Sequence, residues 1–263
     1  MQYKIHGTTF PSLEILLQPG ETMFSQTHSM GWMNDAIKTE PRMTAGGQQS
    51  SGFLGGLWKA AKRAMTGGSF FQNVFWAEGG PGLLAFNPRF PGTIVVRELQ
   101  AGETLICRKE TFLCATSTVD FDLYFRKQLG GGLFGGEGFI MQKVTGPGTV
   151  FLDMSGEVVE KTLGAGERLR VHVGHVGIQD ATVGFDVELV PGIKNLMFGG
   201  NGVFYAVLTG PGKVHLQSMP IAILAEEIAR HIGDSKQPDS GTTVVGDLLG
   251  GGASELLKGW NNS

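Results

Sequence analysis

The chain has 263 residues, 17% of them charged, with 21 Lys and Arg against 24 Asp and Glu and a formal charge of −3. Clustered basic residues are the electrostatic footprint of a nucleic-acid binder, so this balance argues against DNA or RNA as the partner. No apolar run reaches the roughly 18 residues that a membrane-spanning helix needs, and Met1 to His6 form neither a secretory core nor a basic presequence, so a cytoplasmic location is expected.

Forty-two glycines and eleven prolines break the chain into short runs, which is a turn signal rather than a helix signal. The turns recur. Pro19-Gly20-Glu21, Thr66-Gly67-Gly68 and Gly79-Gly80-Pro81-Gly82 mark a first, diverged copy of one pattern. In the second copy Ala101-Gly102-Glu103, Phe134-Gly135-Gly136 and Thr145-Gly146-Pro147-Gly148 stand at the matching places. The third repeats the second without a gap 64 positions on, as Ala165-Gly166-Glu167, Phe198-Gly199-Gly200 and Thr209-Gly210-Pro211-Gly212. A fixed period means one structural unit used repeatedly, each copy burying its apolar face against the next.

Between the turns, apolar residues alternate with a period of two, the mark of half-buried strands. Leu169, Val171 and Val173 alternate with Arg168, Arg170 and His172, and Val183, Phe185, Val187 and Leu189 with Thr182, Gly184, Asp186 and Glu188. The expected fold is all-β: three tandem repeats in a pseudo-threefold β-prism with a C-terminal helix. One composite domain should span residues 1–232, with repeats at about 1–97, 98–161 and 162–220. From 220 to 232, Ile221, Leu224, Ala225, Ile228 and Ile232 fall at helical spacing. Residues 233–263 read as a flexible tail. In the first copy an insertion, Ala45 to Met65, ends in a short basic amphipathic helix, Leu57 to Met65.

The Gly-Glu starts, the Gly-Gly turns and the Gly-Pro-Gly turns, three copies in register, resemble the family named for the mitochondrial biogenesis protein "altered inheritance of mitochondria 24". The resemblance covers residues 1 to about 232. It implies repeats similar to the tryptophan RNA-binding attenuation protein, of the double-stranded β-helix type, arranged as a prism. In fungi the family is associated with the inner mitochondrial membrane and its contact-site complex. It brings no established catalytic residues.

The chemical motifs are weak. Gly130 to Gly135 satisfies Gly-x-Gly-x-x-Gly but lacks the strand before and helix after that a dinucleotide site requires. His172 and His175, three apart on an extended chain, should lie on opposite faces; only Asp180 is near enough in sequence to join them on a metal. Cys107 and Cys114 align with Val171 and Ile178 and read as buried apolar residues. Glu40, Asp122 and Asp186 share one repeat position, and as a cluster of oxygen ligands they would suit a hard cation. No catalytic centre, cofactor or resident metal is expected.

The apolar glycine loops carry the candidate interaction surface: Phe53, Leu54, Leu57 and Trp58, then Leu133 and Phe134, then Met197 and Phe198. A contiguous apolar patch marks an interface. The reading is a non-enzymatic oligomeric scaffold, a homotrimer or a multiple of one. It would meet a protein partner or the inner face of a membrane. A small-ligand or RNA-binding module is the alternative, and a metal-dependent enzyme the third reading.

Overall fold

The computed structural model describes residues 1–26, 29–45, 69–127, 139–189 and 204–233. Its two units, Met1–Ile223 and Leu224–Ser263, are taken in turn. The first is antiparallel β-sheet, and after an N-terminal strand β1 (Gln2–His6) it runs through the same six strands three times. Copy one holds β2 (Ser12–Leu17), β3 (Thr22–Gln26), β4 (Met30–Met33), β5 (Ile37–Ala45), β6 (Ser69–Ala77) and β7 (Gly82–Phe86). Copy two holds β8 (Gly92–Leu99), β9 (Thr104–Arg108), β10 (Phe112–Thr116), β11 (Asp120–Lys127), β12 (Phe139–Thr145) and β13 (Gly148–Ser155). Copy three holds β14 (Val158–Leu163), β15 (Arg168–His172), β16 (Val176–Asp180), β17 (Gly184–Leu189), β18 (Phe204–Thr209) and β19 (Gly212–Gln217).

Pairing follows one rule. In every copy the sixth strand lies between the first and third, and the fifth between the second and fourth. The register is also kept: Asp120↔Thr145 in β11–β12 becomes Gly184↔Thr209 in β17–β18. Even the irregularity recurs, because the third and sixth strands slip by one residue at Met30/Trp32, Phe112/Cys114 and Val176/Ile178. Such a bulge leaves one residue unpaired and bends the strand.

The repeated Gly-Glu motif is a turn that closes on itself. The Glu21, Glu103 and Glu167 amides each donate to a carbonyl three residues back, at 3.0 Å, on Gln18, Gln100 and Gly164. Each glutamate carboxylate accepts from the amide of that same residue at 2.8, 2.9 and 2.8 Å. The central Gly20, Gly102 and Gly166 have φ of 90°, 79° and 74°, a region that costs other residues about 1–2 kcal/mol. Gly and Glu therefore recur for separate reasons, one conformational and one hydrogen-bonding.

Copies are joined edge to edge. β10 pairs β3 and β16 pairs β9, so two six-stranded sheets each take three strands from one copy and three from the next. The core is divided accordingly. Leu13, Ile15, Phe75 and Phe86 of copy one pack with Leu113 and Phe151 of copy two. Phe24, Phe112 and Phe121 meet where those copies join, with centroids 4.5–5.6 Å apart. Farther on, Phe139 stacks on Phe185 at 5.5 Å, inside a cluster with Val176, Val187 and Leu208. Each large apolar side chain so buried contributes about 1.5–3 kcal/mol. Cys107 and Cys114 are free thiols with no exposed surface, sitting among these apolar neighbours.

Pro41 lies in β5, the outer strand of its sheet, where a missing amide hydrogen is tolerated. Helix α1 (Ile221–Gly233) begins one residue after Pro220, at the end of the first unit, and its residues from Leu224 on belong to the second; its bounds are close to the predicted 220–232. Residues 46–68 and 234–263 lie outside the described residues, as do the predicted 57–65 helix and the tail.

Two glycines with positive φ should respond differently to alanine. At Gly102 an added Cβ meets nothing within 4 Å, whereas at Gly148 (φ +146°) it would lie 2.3 Å from Thr116 Oγ1 and 2.7 Å from Val119 Cγ2. Urea unfolding is expected to show Gly102→Ala losing about 1 kcal/mol and Gly148→Ala about 3 kcal/mol or more, strain and overpacking adding. Equal losses would mean that the second turn is not tightly packed.

Candidate interaction edges and polar sites

A copy that joins its neighbours through strand edges has two of them to fill, and the end copies each have one left over. β4 ends the four-stranded sheet β1-β2-β7-β4, and β15 ends the three-stranded sheet β15-β18-β17. Every residue of β4 is exposed, including Met30 (40%), Trp32 (45%) and Met33 (39%). The equivalent strands are covered: Cys114 is 0% exposed and Ile178 1%. On β15, Arg168 and Arg170 stand in solvent, paired with Glu188 at 3.1 and 3.4 Å. The equivalent β9 positions are half-buried Thr104 and buried Ile106.

The predicted interaction surface, Phe53, Leu54, Leu57, Trp58, Leu133, Phe134, Met197 and Phe198, lies outside the described residues. Sequence reasoning missed the β4 edge. A signal was available: a bulky Trp32 aligns with Cys114 and Ile178, so the first copy carries an aromatic where its sisters carry core residues.

Glu40, Asp122 and Asp186 each stand on the fourth strand of their copy, opposite Val74, Lys143 and Val207. Their partners are local. Glu40 pairs with Arg42, and the Asp122 and Asp186 carboxylates accept the amides of Leu123 and Val187 at 2.8 and 2.7 Å. Among the described residues no group of three or more His, Cys, Asp or Glu is placed to hold a metal ion.

The histidine pair corrects an expectation. His172 and His175 do not lie on opposite faces; their rings meet edge to face at 5.8 Å. The cause is a 3-10 turn, Val173–His175, which breaks the extended chain between them. Asp180 stays away, accepting the Lys213 amide at 2.8 Å and facing Arg97 at 3.9 Å. Burial lowers the His172 pKa, helped by His175 and Arg108, which favours a neutral ring. The Gly174 carbonyl of that turn accepts from Arg108 at 2.8 Å and from Gln217 at 2.9 Å, tying copies two and three together.

The family model described as "Mitochondrial biogenesis AIM24" matches residues 3–219. The chain belongs to this family. An uncharacterised protein of Streptococcus pyogenes serotype M6 is 27% identical over 227 residues, 86% of this chain and 88% of its own. The crystal structure of an S. pyogenes protein is similar with a TM-score of 0.68 at 24% identity, covering 88% of this chain and 99% of its own. That similarity shows the fold. The AIM24-family match opens in β1 and closes two residues past β19, so it takes in all three copies and ends before α1.

One buried group of this AIM24-family chain should report on pH. Asp153 is buried on β13 with one carboxylate oxygen unpartnered. Burial raises its pKa from 3.8 to about 6, against the opposing pull of the Arg89 amide and charge. A carboxyl whose pKa is raised by folding keeps its proton longer in the native state, so stability falls as pH rises from about 4 to 6. Asp153→Asn is expected to gain on the wild type by up to about 3 kcal/mol between pH 4 and pH 7.5, measured by urea unfolding. A pH-independent difference would show that the carboxyl ionises normally.

Proposed function

We propose that this AIM24-family chain is a non-enzymatic scaffold that self-associates and works at a surface, membrane or protein, rather than on a small substrate. The observation that carries this reading is that, among the described residues, the two sheet ends of the kind that join copies elsewhere, β4 and β15, stay unfilled, the first of them a run of exposed Met and Trp. Unpaired strand edges template pairing with another chain, and natural proteins usually blunt or cover them. The sequence repeat favours a pseudo-threefold prism, but β15 and β4 end separate sheets, which leaves the third joint of such a prism to a second copy, and a trimer or multiple of one is the assembly that goes with this reading. A place in the cytoplasm, at the inner face of the membrane, goes with this reading; among the described residues no helix is long and apolar enough to cross a bilayer.

The membrane part rests on the sequence of the insertion. Leu57, Trp58, Ala61 and Met65 alternate at helical spacing with Lys59, Lys62 and Arg63. Trp suits the headgroup level and the cations suit anionic lipid. One such helix binds weakly, and several in an oligomer bind together through effective concentration. Co-sedimentation with liposomes of mixed neutral and anionic lipid is the test. The wild type is expected to pellet at low salt, and Trp58→Ala to bind at least about tenfold more weakly with an unchanged melting temperature. A wild type that ignores such liposomes, or a variant that melts markedly earlier, would remove the membrane from the proposal.

A further inference from the structure

The two joints between copies are one joint used twice. In the first, β3 meets β10 with Met23↔Thr116, Phe24↔Ala115 and Ser25↔Cys114. In the second, β9 meets β16 with Leu105↔Asp180, Ile106↔Gln179 and Cys107↔Ile178. The second strand of a copy always receives the third strand of the following copy, in one register. Carried forward once more, β15 of the last copy would receive a β4, with Leu169↔Asn34, Arg170↔Met33 and Val171↔Trp32. Within the chain that joint is not made, since β15 and β4 end separate sheets. The exposure of Trp32 and its neighbours marks the same gap, because the equivalent residues in the two formed joints are buried.

We infer that β15 of one chain pairs with β4 of a second copy in this register, so that chains join head to tail through a third use of the same joint. The union would give β1-β2-β7-β4-β15-β18-β17, which reproduces the six-strand order of the two sheets already formed and adds β1. It would cover the Met30, Trp32 and Met33 side chains. Arg170 would come opposite Met33, where the guanidinium can leave its exposed pairing with Glu188 and lay its aliphatic stem along the Met33 side chain, while Trp32 lies on the other face beside Val171. Exposed ion pairs of this kind are worth only about 0–1 kcal/mol, so little is lost in releasing one. A joint between unlike edges is heterologous, and it gives a closed ring if the rotation per chain divides a full turn and a filament if it does not.

This inference rests on the self-associating reading above and sharpens it to one seam. Residues opposed across antiparallel strands have Cα atoms about 4.5–5.5 Å apart, within disulfide reach. Full-length Trp32→Cys and Val171→Cys are therefore made separately and mixed under mild oxidation. Cys107 and Cys114 do not compete, being wholly buried with thiol pKa values raised by that burial. The mixture is expected to form a disulfide-linked heterodimer at least tenfold faster than either variant forms a homodimer, and a chain carrying both changes should give a ladder of multimers on a non-reducing gel. No excess in the mixture overturns the inference. So does a double variant that yields only an internally linked monomer, since the chain then closes on itself. Trp32→Asp, checked for folding by circular dichroism, separates the two claims by light scattering. A drop to monomer mass supports the seam. An unchanged oligomer with no mixed cross-link discards the seam and leaves self-association standing, and a wild-type monomer at 100-fold the cross-linking concentration ends both.

Discussion

Backbone hydrogen bonding at strand edges is the constraint on which the rest of this structure depends. Each copy folds its six strands into two three-stranded sheets, and each such sheet leaves amide and carbonyl groups pointing outward along its edges. Groups of that kind are costly when buried without a partner. The copies resolve half of the problem for one another, second strand to third, while first and fourth strands such as β8 and β5 stay at the sheet ends; core residues gather around those joints because the joints bring two copies' sheets together. Phe24 of copy one stacking on Phe112 of copy two is an effect of this pairing as much as a cause of it.

The tight turns serve the same end. Where Glu103 folds its carboxylate back on Gln100 and Gly102 takes its positive φ, the chain reverses within a few residues, so the first and second strands leave in different sheets. The Gly102 amide also reaches the Gly146 carbonyl, and Gly166 reaches Gly210 in the same way, at 3.4 and 3.2 Å. Two of the repeated motifs, far apart in sequence, are thus one hydrogen-bonded corner. Copy one carries its Gly80-Pro81-Gly82 in a longer turn between Ala77 and Gly82 and makes its contact between Pro19 and Ala77 instead. The diverged copy therefore differs in its corner and in its exposed third strand, and both differences fall at the end of the array.

Charge has a secondary role. The ion pairs seen on the surface, Arg168 and Arg170 with Glu188 or Lys213 with Glu160, are exposed and contribute little to stability. They matter for what they keep soluble. Two arginines on β15 are a common device against indiscriminate edge pairing, and a joint made there has to be specific enough to re-house them. The buried polar groups Arg108 and Gln217 on the Gly174 carbonyl do the opposite, locking copy two to copy three.

What the sequence by itself determined was the unit and its local rules. The Gly-Glu and Gly-Pro-Gly spacing set the number of copies and the places of their turns, because φ > 0 and a capping carboxylate are demands that particular residue types answer. Period-two alternation marked the strands on either side, as in Leu13, Ile15 and Leu17 of β2, all fully buried. It also placed Cys107 and Cys114 in the core, since sister copies carry aliphatic residues there. The tertiary structure alone decided which strands are neighbours and which edges remain open. Pairing between β9 and β16 links residues about 70 positions apart, and no periodicity encodes a partner across that distance. The histidine pair shows the same limit at short range: a single 3-10 turn, too small to leave a pattern, brought His172 against His175. Trp32 looks like any other strand aromatic until one knows that no second strand of a preceding copy is there to cover it.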